Sequence, residues 1–357
     1  MIARALVLAA LLSSVSLPAR ATCYAAYIHG KLNSIAGGRS NLAPGSGATD
    51  SDRRDYWRNG ASDTFGDFVL WSGINAGCTV LVTGYDGTAG FWDAAASGAV
   101  AAQLNQFISQ NQIPDGQLIL IGHSMGGLVA RWIVNNGVGG AAYYNYNGDY
   151  ATIARKTKNI ISVSGAHLGS PVASAAYGSS DTICGNFVGT LAGWLGARDD
   201  STYWLTTLQM EYGSASGSWM GDVARSKTLY TMATRRWDSG SNGVDALLKG
   251  AWDCLGYVAH WYQPWKSDVP GDGVVFEAAG AGQFRESGSG TNATWGTKSW
   301  SNGQWVQGAR RDWVRMNHNH EHSRKDDSSL TVQDNIRGVT GSNYPGSYVR
   351  AYGLALP

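Results

Sequence analysis

Short apolar runs alternate along this chain with longer stretches in which apolar residues recur at helical spacing. "CYAAYIHG" (23–30) reads as a first strand ending in a turn, and "CTVLVTGYDG" (78–87) as a second, closed by Gly84 and Gly87. In "FWDAAASGAVAAQLNQFISQNQ" (91–112), Val100, Leu104 and Ile108 fall on one face of a helix. "GQLILIGHS" (116–124) is continuously apolar, as a parallel strand covered on both faces should be. "GGLVARWIVNN" (126–136) follows at once as a helix, "NIISVSG" (159–165) reads as a fourth strand and "KTLYTMAT" (227–234) as a fifth. This alternation predicts an α/β fold, a mostly parallel sheet with helices on both faces.

The pattern weakens between residues 172 and 226. That interval holds two helical patches, "FVGTLAGWLG" and "YWLTTLQM", and no clear strand, so it reads as an inserted cap or lid. Residues 277–313 are rich in Gly, Ser, Asn and Trp and read as long loops. The first residues look like a leader: Arg4, an apolar run from Ala5 to Leu17, then Ala19 and Ala21 before a cleavage point. Residues 1–21 are therefore expected to be a signal peptide and 22–357 one large domain of a secreted protein. No other stretch is apolar and long enough to suggest stable membrane insertion.

Composition narrows the picture. A net charge of +1 and only 15% charged residues give no nucleic-acid footprint. The chain carries 48 Gly, 15 Trp and 17 Tyr, enough rings either to fill a core or to pave a surface. Its four cysteines are Cys23, Cys78, Cys184 and Cys254. In an oxidising compartment an even count suggests two disulfides, with three connectivities open. The favoured pairing is Cys23–Cys78, stapling the N-terminus to the early sheet, with Cys184–Cys254 stapling the middle insertion. These spacings do not suit a zinc ribbon or a redox CxxC site.

The candidate chemistry centres on Gly122-His123-Ser124-Met125-Gly126, a G-x-S-x-G pattern between a strand and a helix. In that context it reads as a nucleophile elbow. Gly122 and Gly126 would let strand and helix close around a strained turn, and Ser124 at the tip would be pushed toward solvent. The helix begins there, so Met125 could offer a backbone N–H to a developing oxyanion. A second N–H could come from Lys31, after the turn at Gly30. Such a serine needs a base and the base needs a carboxylate. Asp272, before the apolar run "VVF", is one candidate acid beside Asp238, Asp253 and Asp268. "WVRMNHNHEHSRKDD" (313–327) brings three of the chain's seven histidines to alternate positions: His318, His320 and His322. Imidazoles so spaced could share a zinc ion, but no zincin helix accompanies them, and no catalytic metal is expected.

Taken in order, "HG" after the first strand, "GHSMGG", "GAHLGSPVA" (165–173), "DGVV" (272–275) and "RMNH" (315–318) resemble the secreted bacterial true lipases of the α/β-hydrolase fold. The resemblance spans Ile28 to His318. It implies Ser124 as nucleophile, Asp272 as acid, His318 as base, and Lys31 and Met125 as oxyanion donors. It also implies action on carboxylic esters of lipids, beneath a lid formed by residues 172–226; a monomer meeting its lipid or ester substrate at an interface is the expectation. The family keeps a calcium-binding aspartate two residues after the catalytic histidine. Here His320 stands at that position, and an imidazole is a poor ligand for a hard cation. Two other activities fit the same scaffold. The tryptophans of "ATWGTKSWSNGQWVQGARRDW" (293–313) could form a platform for a polyester, and an alcohol could replace water in an acyltransferase.

Overall fold

The computed structural model describes residues 23–32, 39–57, 78–138, 147–163, 165–167, 169–170, 173, 199–206, 209–210, 228–236, 275, 284–287, 294–296, 299–301, 304–306 and 311–319. From residue 228 onward, Val275 excepted, only the backbone is described. The elements in chain order are β1 (Cys23–Ile28), α1 (Asp50–Asp55), β2 (Cys78–Val82), a π-helical turn (Ala94–Gly98) running into α2 (Ala99–Asn111), β3 (Leu118–His123) and α3 (Met125–Val138). Then follow α4 (Gly148–Lys156), β4 (Thr157–Val163), α5 (Asp200–Trp204), β5 (Thr228–Arg236) and five further strands, β6 (Phe284–Ser287), β7 (Thr294–Gly296), β8 (Ser299–Ser301), β9 (Gln304–Val306) and β10 (Arg311–Asn319).

Six strands form one sheet in the order β10-β5-β4-β3-β1-β2, and every neighbouring pair is parallel. All C-terminal strand ends therefore lie along one edge, where open α/β sheets bind their ligands. Strand β3 is buried along its whole length, as its unbroken apolar run requires. Leu118, Ile119, Leu120 and Ile121 are each at most 1% exposed, and each such side chain contributes roughly 1.5–3 kcal/mol through burial.

The helix expected from "GAVAAQLNQFISQNQ" is α2, and Val100, Leu104 and Ile108 are all buried on it. It stops at Gln112, whose left-handed backbone (φ 50°) lets its N–H return to the carbonyls of Ile108 and Ser109. Helix α3 is buried from Met125 to Gly137, which explains why the run after the serine carries so little charge. Two short helices had no signal clear enough to predict them. One is α1, begun by a reciprocal Thr49–Asp52 capping box. The other is α4, capped by Asn147.

The C-terminal part departs from expectation. Residues 277–313 contain two antiparallel pairs, β6–β7 and β8–β9, rather than loops alone. Residues 311–319 form a full strand of the main sheet. At the other side of the sheet, Cys23 lies opposite Cys78 in register, and Cys78 is disulfide-bonded. Cys184 and Cys254 lie outside the described residues, as do the leader 1–21 and most of 172–226.

Candidate active site

Strand β3 delivers Ser124 to the C-terminal edge of the sheet. The residue has φ 53°, a left-handed backbone that a non-glycine residue adopts only when its surroundings impose it. Helix α3 starts at the next residue, and the N–H of Gly127 closes the turn on the Ser124 carbonyl at 3.1 Å. Glycine is required on both sides of the turn. A methyl group on Gly122 would lie 2.5 Å from the backbone of Gly126 and Gly127, and one on Gly126 would lie 2.1 Å from the Ile28 carbonyl oxygen. The tight strand–turn–helix read from the sequence is thus present, with one difference. Ser124 is only 8% exposed, because neighbouring chain covers it instead of leaving it at an open tip.

The covering chain is the turn after β1. Strands β1 and β3 are direct neighbours with Ile28 opposite Gly122, so His29-Gly30-Lys31 emerges beside the serine. A methyl group on Gly30 would lie 2.8 Å from the Ser124 Cβ, a close approach only glycine allows. The Gly30–Lys31 peptide is held by His29. The Nε2 of His29 accepts the Tyr85 N–H at 3.2 Å, so its proton is on Nδ1, which donates to the Gly30 carbonyl at 2.7 Å. The His29 ring stacks flat on Tyr85, 3.9 Å between centroids and 4° between planes, and the Tyr85 hydroxyl donates to the His29 carbonyl at 2.7 Å. With the Gly30 carbonyl pinned toward His29, peptide planarity turns the Lys31 N–H the opposite way.

Tyr56, just past α1, was not singled out from the sequence. Its hydroxyl contacts the Nδ1 of His123 and takes a hydrogen bond from the Gly30 backbone. Burial holds its proton well above the ordinary phenol range, with the Gly30 bond partly opposing that shift. The contact also engages His123 away from Ser124. Tyr56 lies 26 positions from Gly30 and 67 from His123, so no local pattern could have revealed it. His167 bonds the Ser162 hydroxyl at 2.9 Å and ties the turn after β4 to the strand.

The remaining sequence-predicted residues are placed less fully. His318 belongs to β10, whose C-terminal end shares the Ser124 edge of the sheet. Met316 pairs with Thr234 and Asn319 with Arg236, so β10 has one extra residue where Asn317 and His318 oppose Arg235. Asn317 and His318 therefore sit at an irregularity within a strand. Asp272 lies outside the described residues, but Val275, three positions on, is 3% exposed and belongs to the main hydrophobic core. His320 and His322 lie outside too. Among the described residues, no cluster of His, Cys, Asp and Glu could hold a metal ion, and no helix is long and apolar enough to cross a membrane.

No family model matches the sequence, and no curated protein does. Solved structures do resemble this one. EstA from Clostridium botulinum is 15% identical with a TM-score of 0.50, over 96% of this chain and 89% of that one. Lipase 1 from Pelosinus fermentans is 14% identical with a TM-score of 0.49, over 87% and 96%. The mature lipase BlEst2 of Bacillus licheniformis is 17% identical with a TM-score of 0.46, over 75% and 82%. The chain has the α/β-hydrolase fold. Ser124, the 29–31 turn and the end of β10 all lie on the C-terminal edge of the sheet, the edge on which open α/β sheets in general bind ligands.

Proposed function

We propose that this protein is a serine hydrolase of carboxylic esters, secreted after loss of residues 1–21, and a lipase or esterase by substrate. One observation carries the reading. Ser124 stands in a left-handed turn at the head of a buried helix, with the glycine turn after β1 packed against its Cβ. That arrangement supports reading Ser124 as a nucleophile flanked by two backbone donors.

In the proposed reaction, His318 takes the proton of Ser124 as its hydroxyl oxygen attacks the ester carbonyl. The N–H groups of Met125 and Lys31 hold the oxyanion. His318 then protonates the departing alcohol, and water repeats the sequence on the acyl-enzyme, with Asp272 ionised throughout to hold the imidazole. The Cys23–Cys78 pairing belongs to the same reading, supported by their register on β1 and β2. So do the lid role of 172–226, the pairing of Cys184 with Cys254 and the absence of a calcium site at His320.

Fluorophosphonate labelling of wild type and of Ser124→Ala tests the nucleophile. Labelling and ester hydrolysis are expected in the first and not in the second. Ester hydrolysis by Ser124→Ala within a few-fold of wild type would overturn the reading. His318→Ala and His320→Ala, compared with added imidazole, separate the base from its neighbour: only the first is expected to lose activity by about 10³-fold or more and regain part of it. p-Nitrophenyl esters of rising chain length, an emulsified triglyceride and a polyester film then rank the substrates. Activity confined to acetyl and butyryl esters would remove the lipase label.

A further inference from the structure

The oxyanion turn is anchored at a second place, by a side chain rather than by its backbone. The Nζ of Lys31 donates to both carboxylate oxygens of Asp199, at 2.7 and 2.5 Å, and to the Ser201 hydroxyl at 2.5 Å. The ammonium side chain is 9% exposed and the carboxylate 16%, so the pair is largely out of water. Burial pulls the Lys31 ammonium below its ordinary range, while the charges of Asp199 and, more weakly, Asp86 oppose that shift. Burying an ammonium for packing alone would be costly, since a lysine stem can carry its charge to the surface.

The far side of the contact belongs to the connection between β4 and β5. Asp199 is the N-cap of α5, where its Oδ1 also accepts from the Thr202 N–H and from the Ser201 and Thr202 hydroxyls. The same short segment is tied down twice more. The Ser201 N–H donates to the Thr88 carbonyl, and the Ser170 N–H donates to the Leu205 carbonyl, beside the Ser170–Thr206 bridge. Opposite, a methyl group on Gly87 would lie 2.5 Å from the Lys31–Leu32 peptide at the Leu32 nitrogen. The 29–32 turn is thus wedged between the 85–90 loop and the 199–206 segment.

We propose that Lys31 is a positioning residue. Its ammonium, clamped by Asp199 and Ser201, couples the oxyanion-hole peptide to the β4–β5 connection, so that the seating of residues 199–206 sets the direction of the Lys31 N–H. The proposal rests on the reading of that N–H as an oxyanion donor. It assigns the side chain a separate job, because every substitution at 31 except proline keeps the backbone donor.

The test uses the full chain with Lys31→Met, Asp199→Asn, the double variant and Lys31→Arg. Four quantities are measured: kcat, KM, the affinity of an alkylboronic acid that needs the oxyanion hole, and the melting temperature. Each single variant is expected to lower kcat about 10-fold, with KM within twofold and boronate affinity falling in step with kcat. The double variant should lose no more than the worse single one, since both remove one contact. Lys31→Arg should recover at least half of the loss by keeping the bond to Asp199. Unchanged kcat and boronate affinity per folded molecule in the single variants, whatever their melting temperatures, would overturn the proposal while leaving the serine-hydrolase reading intact. Additive losses in the double variant would overturn it as well. Failure of wild type to be labelled at Ser124 would instead strike the underlying reading.

Discussion

Gly126→Ala is the sharpest stability test of the elbow. The new methyl group would meet the Ile28 carbonyl oxygen at 2.1 Å and the His29 oxygen at 2.4 Å, both backbone atoms of the turn that faces the serine. Contacts under 3.0 Å do not persist, so α3 and the end of β1 must separate by roughly 1 Å. Two effects compete. Alanine inside a helix is favoured over glycine by about 1 kcal/mol. Overpacking against two backbone segments that cannot rotate away costs about 3 kcal/mol or more. The clash wins, and a net loss of about 2 kcal/mol or more is expected in urea unfolding. The same displacement moves Ser124 relative to the Lys31 N–H, and a 1 Å misplacement of reacting groups costs about 100-fold in rate. Fluorophosphonate labelling per folded molecule reads that term separately from stability. Gly45→Ala is the control: its φ is +86° with nothing within 4 Å of a methyl group, so only backbone strain of about 1–2 kcal/mol applies and labelling should not change. A folded Gly126→Ala protein that labels within threefold of wild type would refute the claim that the glycine sets the spacing of nucleophile and oxyanion turn.

Gly30→Ala is expected to slow labelling of Ser124 by about 100-fold with less loss of stability, because its two closest neighbours, the Tyr56 hydroxyl and the Ser124 Cβ, are side-chain atoms; comparing its urea midpoint with that of Gly126→Ala checks the ordering. Tyr85→Phe removes the donor to the His29 carbonyl and should cost about 1–3 kcal/mol by breaking a buried hydrogen bond. Burial holds the Tyr85 hydroxyl proton well above its ordinary value of 10.0, so its folded pKa is raised. Its contribution is complete below about pH 10 and is lost as pH rises further, with a slope approaching 1.4 kcal/mol per pH unit. Urea midpoints measured above and below pH 10 should therefore fall more steeply in wild type than in Tyr85→Phe. The lowered Lys31 acts with the opposite sign, its penalty easing as pH climbs toward its ordinary 10.5; Lys31→Met with Asp199→Asn should remove that rise, measured by the same midpoints.

What could be read from the sequence follows from how each element is buried. Strands β1 and β3 sit inside the sheet and carry unbroken apolar runs, and β3 leads into a glycine-flanked serine whose setting between strand and helix marks it as an elbow. Helix α2 buries one face, so its period showed. Strand β10 escaped notice because it flanks the described sheet at one side, pairing only with β5, and its run "RDWVRMNHN" places Arg311, Asp312 and Arg315 among the apolar residues. The anchors of the 29–32 turn were hidden for another reason. Lys31 and Asp199 are 168 positions apart, and Tyr85 and His29 are 56 apart. Nothing in the local sequence of either partner anticipates a contact that only sheet order creates.

Sheet order also explains how the proposed site is divided. Ser124 and the turn proposed to carry an oxyanion donor come from β3 and β1, adjacent strands whose register places Ile28 opposite Gly122, so backbone pairing brings these two groups side by side. The proposed base comes from β10, three strands from β3, or roughly 14 Å at the spacing of neighbouring strands. Regular pairing would carry His318 straight along that distant strand. The extra residue at Asn317–His318 interrupts the pairing at that position, and such bulges bend a strand and re-aim its side chains. The proposed nucleophile and oxyanion turn thus belong to the centre of the sheet. The base has to be brought across the ends of β4 and β5, the same edge on which the β4–β5 connection reaches Lys31 through Asp199.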